Sequence, residues 1–425
     1  MNAEVISLGC RLNIAESERI RALLGATADV VVINSCAVTA EAVRQTRQAI
    51  RKARRARPDA RLLVTGCATE IERDQLAAMP EIDGLVPNAA KLDARVWREA
   101  KDHGNSSPLP LAGAVGGGSV AANAAPDHTH PPLTPPASGR GTVSHTRAFV
   151  AVQNGCDHAC TFCVIPQGRG PSRSLSVADV LREVELHLGQ GAQEVVLTGV
   201  DVTSWGHDLP NHPRLGALVR AILDAFPRLT RLRMSSLDGI EVDAALFELF
   251  AGEPRLMPHL HLSLQHGDDL ILKRMKRRHL RADAISLVQR LRARRPDITV
   301  GADLIAGFPT EDEAMHRANL RIVRELGIVH GHVFPYSPRP RTPAARMPQV
   351  DTATIKRRAA ELRKTAAEVR QGWLRTLVGT PQSVLAENDG TGHAASFARV
   401  AVPKGTGAGA ILTITPTKLV EGLLQ

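Results

Sequence analysis

From residue 1 to about 100, short apolar runs alternate with stretches whose apolar positions recur at helical spacing. "ADVVVINSC" (residues 28–36) and "ARLLVTGC" (residues 60–67) are β-branched-rich and aliphatic runs that each end at a cysteine. Between them, "TAEAVRQTRQAIRKARRARPDA" reads as a helix with Thr39 as its cap and Pro58 as its stop. That strand–helix–strand rhythm predicts a small parallel sheet, in which sites form at the carboxyl ends of strands. Cys36 and Cys67 lie at such ends, and so does Cys10 after "EVISLG". Three cysteines far apart in sequence are therefore expected to converge.

The pattern stops over residues 102–146, a Gly-, Ala-, Pro-, Ser- and His-rich stretch with no period, which reads as a flexible linker. From residue 147 to about 345 it resumes. Six apolar runs, "AFVAVQ", "EVVLTG", "RLRMSS", "HLHLSLQ", "ITVGADLIAGFP" and "VHGHVFPYS", are separated by helical stretches. Six βα units predict an open (β/α)6 barrel with its active site at the carboxyl ends of the strands. Residues 346–375 read as one connecting helix. Short β runs between Gly-containing turns over residues 376–425 predict a small β barrel. The fold class expected is thus α/β, with a parallel α/β domain over residues 1–101, the barrel over 147–345 and a β barrel at the end.

At 425 residues the chain has room for two or three domains, and 43% apolar with 23% charged residues is a globular balance. No apolar run reaches the length of a membrane span, and "MNAEVISLGC" lacks the layout of a signal peptide. A cytoplasmic location with no membrane partner is expected, and there cysteines stay reduced, so clustered thiols point to metal or redox chemistry. Lys and Arg exceed Asp and Glu by 53 to 43. A basic balance favours a polyanionic partner such as a nucleic acid, although an Arg-rich proteome produces the same charge.

Half of the six cysteines fall in "NGCDHACTFC" (residues 154–163), at spacing C-x3-C-x2-C directly after the first barrel strand. Structural zinc wants four closed ligands, and the fourth candidate here, His158, lies between the first two cysteines. Three thiolates fit better with a cubane iron–sulfur cluster that keeps one iron open. Packing as small apolar side chains is the third reading. The spacing, with Phe162 before the last cysteine, resembles the radical S-adenosylmethionine superfamily. That resemblance implies that the open iron holds S-adenosyl-L-methionine and that one electron generates a 5′-deoxyadenosyl radical, with Cys156, Cys160 and Cys163 as cluster ligands.

"SLGCRLNIAESE", "INSCAVTAEA" and "VTGCATE" resemble the three cysteine boxes of the methylthiotransferase family, whose radical domain is followed by a TRAM-type β barrel. The resemblance implies a second [4Fe–4S] cluster on Cys10, Cys36 and Cys67, so that two clusters use all six cysteines. Family branches act on isopentenyl-adenosine in tRNA, on an aspartate of a ribosomal protein, and on threonylcarbamoyl-adenosine in tRNA. "LGCRLNIAESE" is similar to the third branch: it lacks the Gln-Met pair of the first and the Pro-Lys pair of the second. "HVFPYSPRPRTPAARMP" (residues 332–348) is similar to that branch too. Three positions depart from the family pattern: His266 in place of Ser, and Thr310 and Arg341 in place of Gly. Either of the last two alters a tight turn, because Gly tolerates φ > 0.

The resemblance implies replacement of an adenine C2–H by C2–SCH3. That hydrogen is not acidic, which is why a radical is needed. Two molecules of S-adenosylmethionine are implied, one to methylate a sulfur and one to supply the radical. Phe162, Thr198, Gly199, Asp201, Ser235, Gln265 and Asp303 are candidates for cofactor binding, since they stand at or beyond barrel strand ends; core packing is the other reading of Phe162. For tRNA, Arg44, Arg47, Arg51 and Arg54 form a basic stripe on one helix, and Lys276, Arg277 and Arg278 form a second cluster suited to phosphates. Phe397 is the stacking candidate in the terminal β domain. An electron donor, unidentified, is a required partner, and a monomer is the default expectation.

Overall fold

The computed structural model of the chain describes residues 3–25, 29–102 and 146–425, with side chains described up to residue 98 in the first part. The linker expected over residues 102–146 falls, apart from its two end positions, outside the described residues. Two compact units divide the chain, residues 1–144 and 145–425.

In the first unit, strands β1 (Glu4–Ser7), β2 (Val30–Ser35), β3 (Arg61–Gly66) and β4 (Gly84–Leu85) form one parallel sheet in sequential order. All six residues of β2 and all six of β3 are buried, as expected of a parallel sheet covered on both faces. Thr39 caps the helix Ala40–Ala56 by accepting from the Ala42 amide at 3.1 Å, and the helix ends at Arg57, before Pro58.

The second unit opens with β5 (Arg147–Ala151), followed by a two-strand hairpin of β6 (Gln153–Asn154) and β7 (Arg173–Ser174). Then come β8 (Glu194–Thr198), β9 (Arg231–Met234), β10 (His259–Gln265), β11 (Thr299–Ala306) and β12 (Ile328–Pro335). β5-β8-β9 and β10-β11-β12 are parallel three-stranded sheets, joined by parallel bridges at Leu232–Leu256 and Leu237–Leu262. The six expected barrel strands are therefore present in sequential order. Their outer face carries the apolar core: Leu260, Leu262, Leu264, Val300, Ala302 and Leu304 pack with Ile322, Val323, Ala359 and Leu362 of the surrounding helices. One of these is the long helix Thr352–Thr376, capped by Asp351.

The alternate residues of the same strands face inward, and they are polar. Glu194, Arg231, Arg233, His259, His261 and Thr299 are all buried. Glu194 receives both arms of the Arg233 guanidinium at 3.0 and 3.1 Å. That paired geometry is what allows a buried carboxylate and guanidinium to coexist.

Strands β13 (Gln382–Ala386), β14 (Thr391–Ala394), β15 (Arg399–Ala401), β16 (Ile411–Ile414), β17 (Leu419–Val420) and β18 (Leu423–Leu424) form a six-stranded sheet in the order β16-β13-β14-β15-β18-β17. This sheet meets the amino ends of the barrel strands. Arg231 donates to the carbonyls of Ser383 at 2.6 Å and His393 at 3.1 Å, and Thr299 donates to Ser396 at 3.0 Å. Phe397, at φ 72°, stacks on His393 and His259 with centroids 4.7 and 5.3 Å away, and the Arg233 guanidinium lies 4.8 Å over its ring. The stacking role expected for Phe397 on RNA is thus replaced by an internal one. Its ring faces the guanidinium and imidazoles of the barrel floor, an arrangement that suits an aromatic face.

Candidate active site

Cys10, Cys36 and Cys67 each follow a strand of the first sheet, at its carboxyl edge, and all six cysteines of the chain are free thiols. Two glycines bring the first trio together. Gly9 has φ +98°, and a Cβ there would lie 2.6 Å from the Cys36 Cβ and 2.9 Å from its Sγ. Gly66 has φ +96°, and a Cβ there would lie 2.4 Å from the Ser35 carbonyl oxygen. Each Gly-Cys pair is thus a turn that only glycine fits without strain. Asn13 ties the loops by donating to the carbonyls of Leu8 at 2.6 Å and Ser35 at 3.0 Å. The Cys67 amide donates to the Ser35 carbonyl at 3.2 Å. Cys36 and Cys67 are buried and Cys10 is exposed, so the trio opens on one side.

Cys156, Cys160 and Cys163 sit on the loop between β6 and the short helix Ile165–Arg169, and all three are partly buried. Gly155, at φ +75°, lets the loop pass so close that a Cβ there would lie 1.9 Å from the Pro171 carbonyl oxygen. Thr161 pins the loop by donating from its amide to the Met275 carbonyl and from its hydroxyl to the Arg274 carbonyl. Each sulfur accepts an N–H. The donors are the His158 amide to Cys156 at 3.4 Å, the Ile165 amide to Cys163 at 3.4 Å, and the Arg277 guanidinium to Cys160 at 3.6 Å.

These donors suit anionic sulfur. Burial pushes the Cys156 thiol up to about 12, and Asp201 and the other two sulfurs push the same way. A cationic centre bound at the three sulfurs reverses that penalty, as metals do for thiols generally. With three thiols in each set and no fourth cysteine available, both sets fit an iron–sulfur cluster with one open iron better than a closed zinc site.

The residues expected to bind cofactor fall in four places. Phe162 packs with an apolar cluster around Phe308, Ile271, Met275 and Tyr336, its ring edge-on to Phe308 at 6.4 Å. Thr198, Gly199, Asp201 and Ser235 surround the carboxyl ends of β8 and β9. Thr198 is buried, and a Cβ on Gly199 would lie 2.7 Å from the Gln153 carbonyl. Ser235 is buried with no hydrogen-bond partner for its hydroxyl, an orphan that a bound polar ligand would satisfy. Asp201 bridges to the cysteine loop through His158 Nε2 at 2.8 Å. Gln265 holds φ 68° at the end of β10. Asp303 stands apart, bound to His261 and His332 at 3.1 Å each. Burial alone would raise its pKa, but those two hydrogen bonds hold it well below the usual carboxylate range.

Glu241, His261 and His332 are not singled out by the sequence, and His158, a zinc-ligand candidate there, pairs with carboxylates instead. Donating hydrogen bonds to Asp201 and then to Glu241 raises His158 to about 10. Burial would raise Glu241, but His158 and Arg278 outweigh it and hold the carboxyl at about 2. The signal for His261 and His332 was present as "HLH" and "HGH", two histidines at strand spacing on each of two strands.

The basic residues are largely engaged within the protein. Arg277, expected among the phosphate contacts, points inward to Asp238 at 2.8 Å and to Cys160. Arg278 pairs with Glu241 at 2.9 Å, and Lys276 is exposed. Arg54 clamps the helix to Asp83 at 2.5 Å and to three backbone carbonyls. Arg44 pairs with Glu41 at 2.5 Å, Arg47 with Glu72 at 3.8 Å, and Arg51 with Glu81 at 3.6 Å. Among the described residues no helix is long and apolar enough to cross a membrane.

Known proteins match both stretches that carry the cysteine sets. Residues 150–321 match the Radical SAM superfamily, and residues 2–87 match Uncharacterized protein family UPF0004. The chain is 39% identical to the threonylcarbamoyladenosine tRNA methylthiotransferase MtaB of Rickettsia prowazekii (strain Madrid E), over 100% of this chain and 97% of that protein. It is 32% identical to the tRNA-2-methylthio-N(6)-dimethylallyladenosine synthase of Frankia alni, over 98% of this chain and 85% of that one. The MtaB of Thermotoga maritima is 30% identical over 90% of this chain and 85% of its own length. Among solved structures, the radical S-adenosylmethionine methyltransferase TsrM from Kitasatospora setae aligns with a TM-score of 0.52 at 16% identity. It covers 78% of this chain and 66% of TsrM, a likeness of fold. Full-length identity to enzymes of one chemistry, on a chain that carries both cysteine sets, has a direct conclusion: the chain belongs to the radical SAM tRNA methylthiotransferases.

Proposed function

We propose that this chain converts N6-threonylcarbamoyladenosine in tRNA to its 2-methylthio derivative, in the cytoplasm, with two [4Fe–4S] clusters and S-adenosyl-L-methionine. The observation that carries the substrate is the 39% identity to the Rickettsia protein over the whole of this chain. Cys156, Cys160 and Cys163 would hold the radical cluster, and Cys10, Cys36 and Cys67 the second. When bound, these groups supply the reductive cleavage of S-adenosylmethionine and the sulfur that is transferred. The chain's own residues do the rest. Arg277 and the loop amides stabilise charge on the sulfurs, Asp201, Glu241 and His158 fix the loop, and Thr198, Gly199 and the unpartnered Ser235 hydroxyl offer contacts for the cofactor. Residues 1–101 act as the auxiliary-cluster domain, 147–345 as the radical barrel, 346–375 as the connecting helix and 376–425 as a TRAM-like RNA-binding domain. The protein works as a monomer and takes its electron from a separate donor.

Nucleoside mass spectrometry on tRNA from cells lacking the gene, against a complemented strain, tests this. Loss of the 2-methylthio-threonylcarbamoyl nucleoside with accumulation of its precursor is the expected result. Loss of the 2-methylthio-dimethylallyl nucleoside instead would assign the chain to the reaction named for its Frankia relative. An unchanged tRNA would overturn the assignment and direct attention to ribosomal protein.

A further inference from the structure

We infer that His332 and Phe334 form the contact surface for the substrate purine, with Asp303 and His261 positioning His332; this rests on the tRNA methylthiotransferase reading above. Both residues lie on the inward face of β12. Val333, between them, packs outward against the core. A step lower on the same face, His330 closes against His259, Phe397 and Trp373, so the floor is sealed. The row above it is the one that opens toward the strand ends.

In that row one carboxylate oxygen, Asp303 Oδ1, accepts from His261 Nε2 and from His332 Nδ1, each at 3.1 Å. A carboxylate accepts only, so both of those ring nitrogens carry the protons. His332 is thereby set in one orientation, with Nδ1 committed to Asp303 and Nε2 left to meet a ligand. His261 is buried, and its Nδ1 faces Gly301, where a Cβ would come within 2.3 Å. His261 is thus walled in, whereas the His332 side chain is 57% exposed. Two residues along the strand, Phe334 is 39% exposed, among the few large apolar side chains left to solvent among the described residues.

An exposed aromatic face beside one oriented ring nitrogen is the chemistry that recognises a nucleobase, by stacking on its plane and hydrogen bonding at its edge. Neither group is suited to the methionine end of the cofactor, which asks for charge. The same placement moves Asp303 from the cofactor contacts to a positioning role.

The test uses the full reconstituted chain and a tRNA that the wild type modifies. Phe334→Ala, His332→Ala and Asp303→Asn are compared for iron content, for 5′-deoxyadenosine formed without tRNA, and for methylthiolated product per deoxyadenosine formed with it. Affinity for the modified anticodon stem–loop is measured by fluorescence anisotropy. Iron and tRNA-free deoxyadenosine are expected to hold within about twofold. Stem–loop affinity and product per deoxyadenosine are expected to fall about tenfold for Phe334→Ala and His332→Ala. His332→Gln, which keeps an edge hydrogen-bonding group, should recover part of the loss. If tRNA-free deoxyadenosine collapses while iron holds, the residues serve the cofactor and the inference fails. It fails equally if product per deoxyadenosine and stem–loop affinity are unchanged. Failure of the substrate reading would show separately, as a wild type that modifies dimethylallyl-adenosine tRNA in place of the threonylcarbamoyl form; the variants are then scored on that adenine.

Discussion

The two cysteine sets reach the same kind of arrangement by opposite routes. Cys156, Cys160 and Cys163 are neighbours on one loop, and distant residues come to them: Arg277 donates to Cys160, and Met275 and Arg274 pin Thr161. Cys10, Cys36 and Cys67 are scattered over the length of a domain, and only the parallel order β1-β2-β3 gathers them. The first set depends on its surroundings for charge. The second depends on its fold for existence, and its glycines matter as much as its sulfurs.

On the proposed reading, the largest effect separates the sets by function. Cys160→Ala should abolish both S-adenosylmethionine cleavage and product. Cys36→Ala should abolish product yet leave 5′-deoxyadenosine formation. Anaerobically reconstituted iron should fall from about eight to about four per chain in both. Cleavage that survives Cys160→Ala would dissolve the distinction.

Glycine variants test the same contrast without touching a sulfur. Gly66→Ala and Gly155→Ala each put a Cβ against a backbone oxygen at positive φ, a strain on the order of 1–3 kcal/mol or more. Gly66→Ala should deplete about half of the iron and spare cleavage, while Gly155→Ala should cost cleavage itself. Equal loss of both functions in Gly66→Ala would show that the first set does not fold as a separate unit.

A smaller effect reads charge. Arg277→Met removes the donor to Cys160, and a reduced cluster is more negative than an oxidised one. The radical-cluster potential should therefore fall, by on the order of tens of millivolts. Lys276→Ala, next to it but exposed, should leave the potential in place in the same spectroelectrochemical titration.

How far each set was legible follows from this contrast. The C-x3-C-x2-C loop announces itself because its spacing is local. The scattered trio is legible only to a reader who accepts the strand–helix–strand rhythm, since "SLGC", "NSC" and "TGC" carry no spacing of their own. Thr39 and Pro58 placed a helix correctly because caps and stops act within a turn. Side-chain direction was out of reach. Arg277 and Arg278 stand in a basic run that reads as surface, and the turn at Lys276, with φ 56°, swings them toward Asp238 and Glu241. Phe397 likewise reads as a lone aromatic in a β domain until tertiary contacts place it on the barrel floor. Contacts between residues more than a hundred positions apart leave no periodic trace.

The smallest effect concerns two turns, at Thr310 and Arg341, where the family resemblance leads to an expectation of glycine. Thr310 holds φ 68° and Arg341 holds φ 62°, both in the left-handed region. A side chain at either position carries backbone strain that glycine would not. For a β-branched threonine that conformation is a genuine outlier, costing about 1–2 kcal/mol against glycine. Thr310 is kept there by its amide, which donates to the Pro348 carbonyl at 3.1 Å, and by Glu311, which accepts from the Gly307 and Phe308 amides. Glycine at 310 relieves the clash but widens the unfolded ensemble, so the net gain in stability should be under about 1 kcal/mol. Arg341→Gly should gain less, because arginine has no branch at Cβ. Thermal unfolding of the two variants, with the second unit's transition followed separately, checks the order. A Thr310→Gly protein less stable than its parent would mean that the threonine side chain makes a contact worth more than its backbone strain.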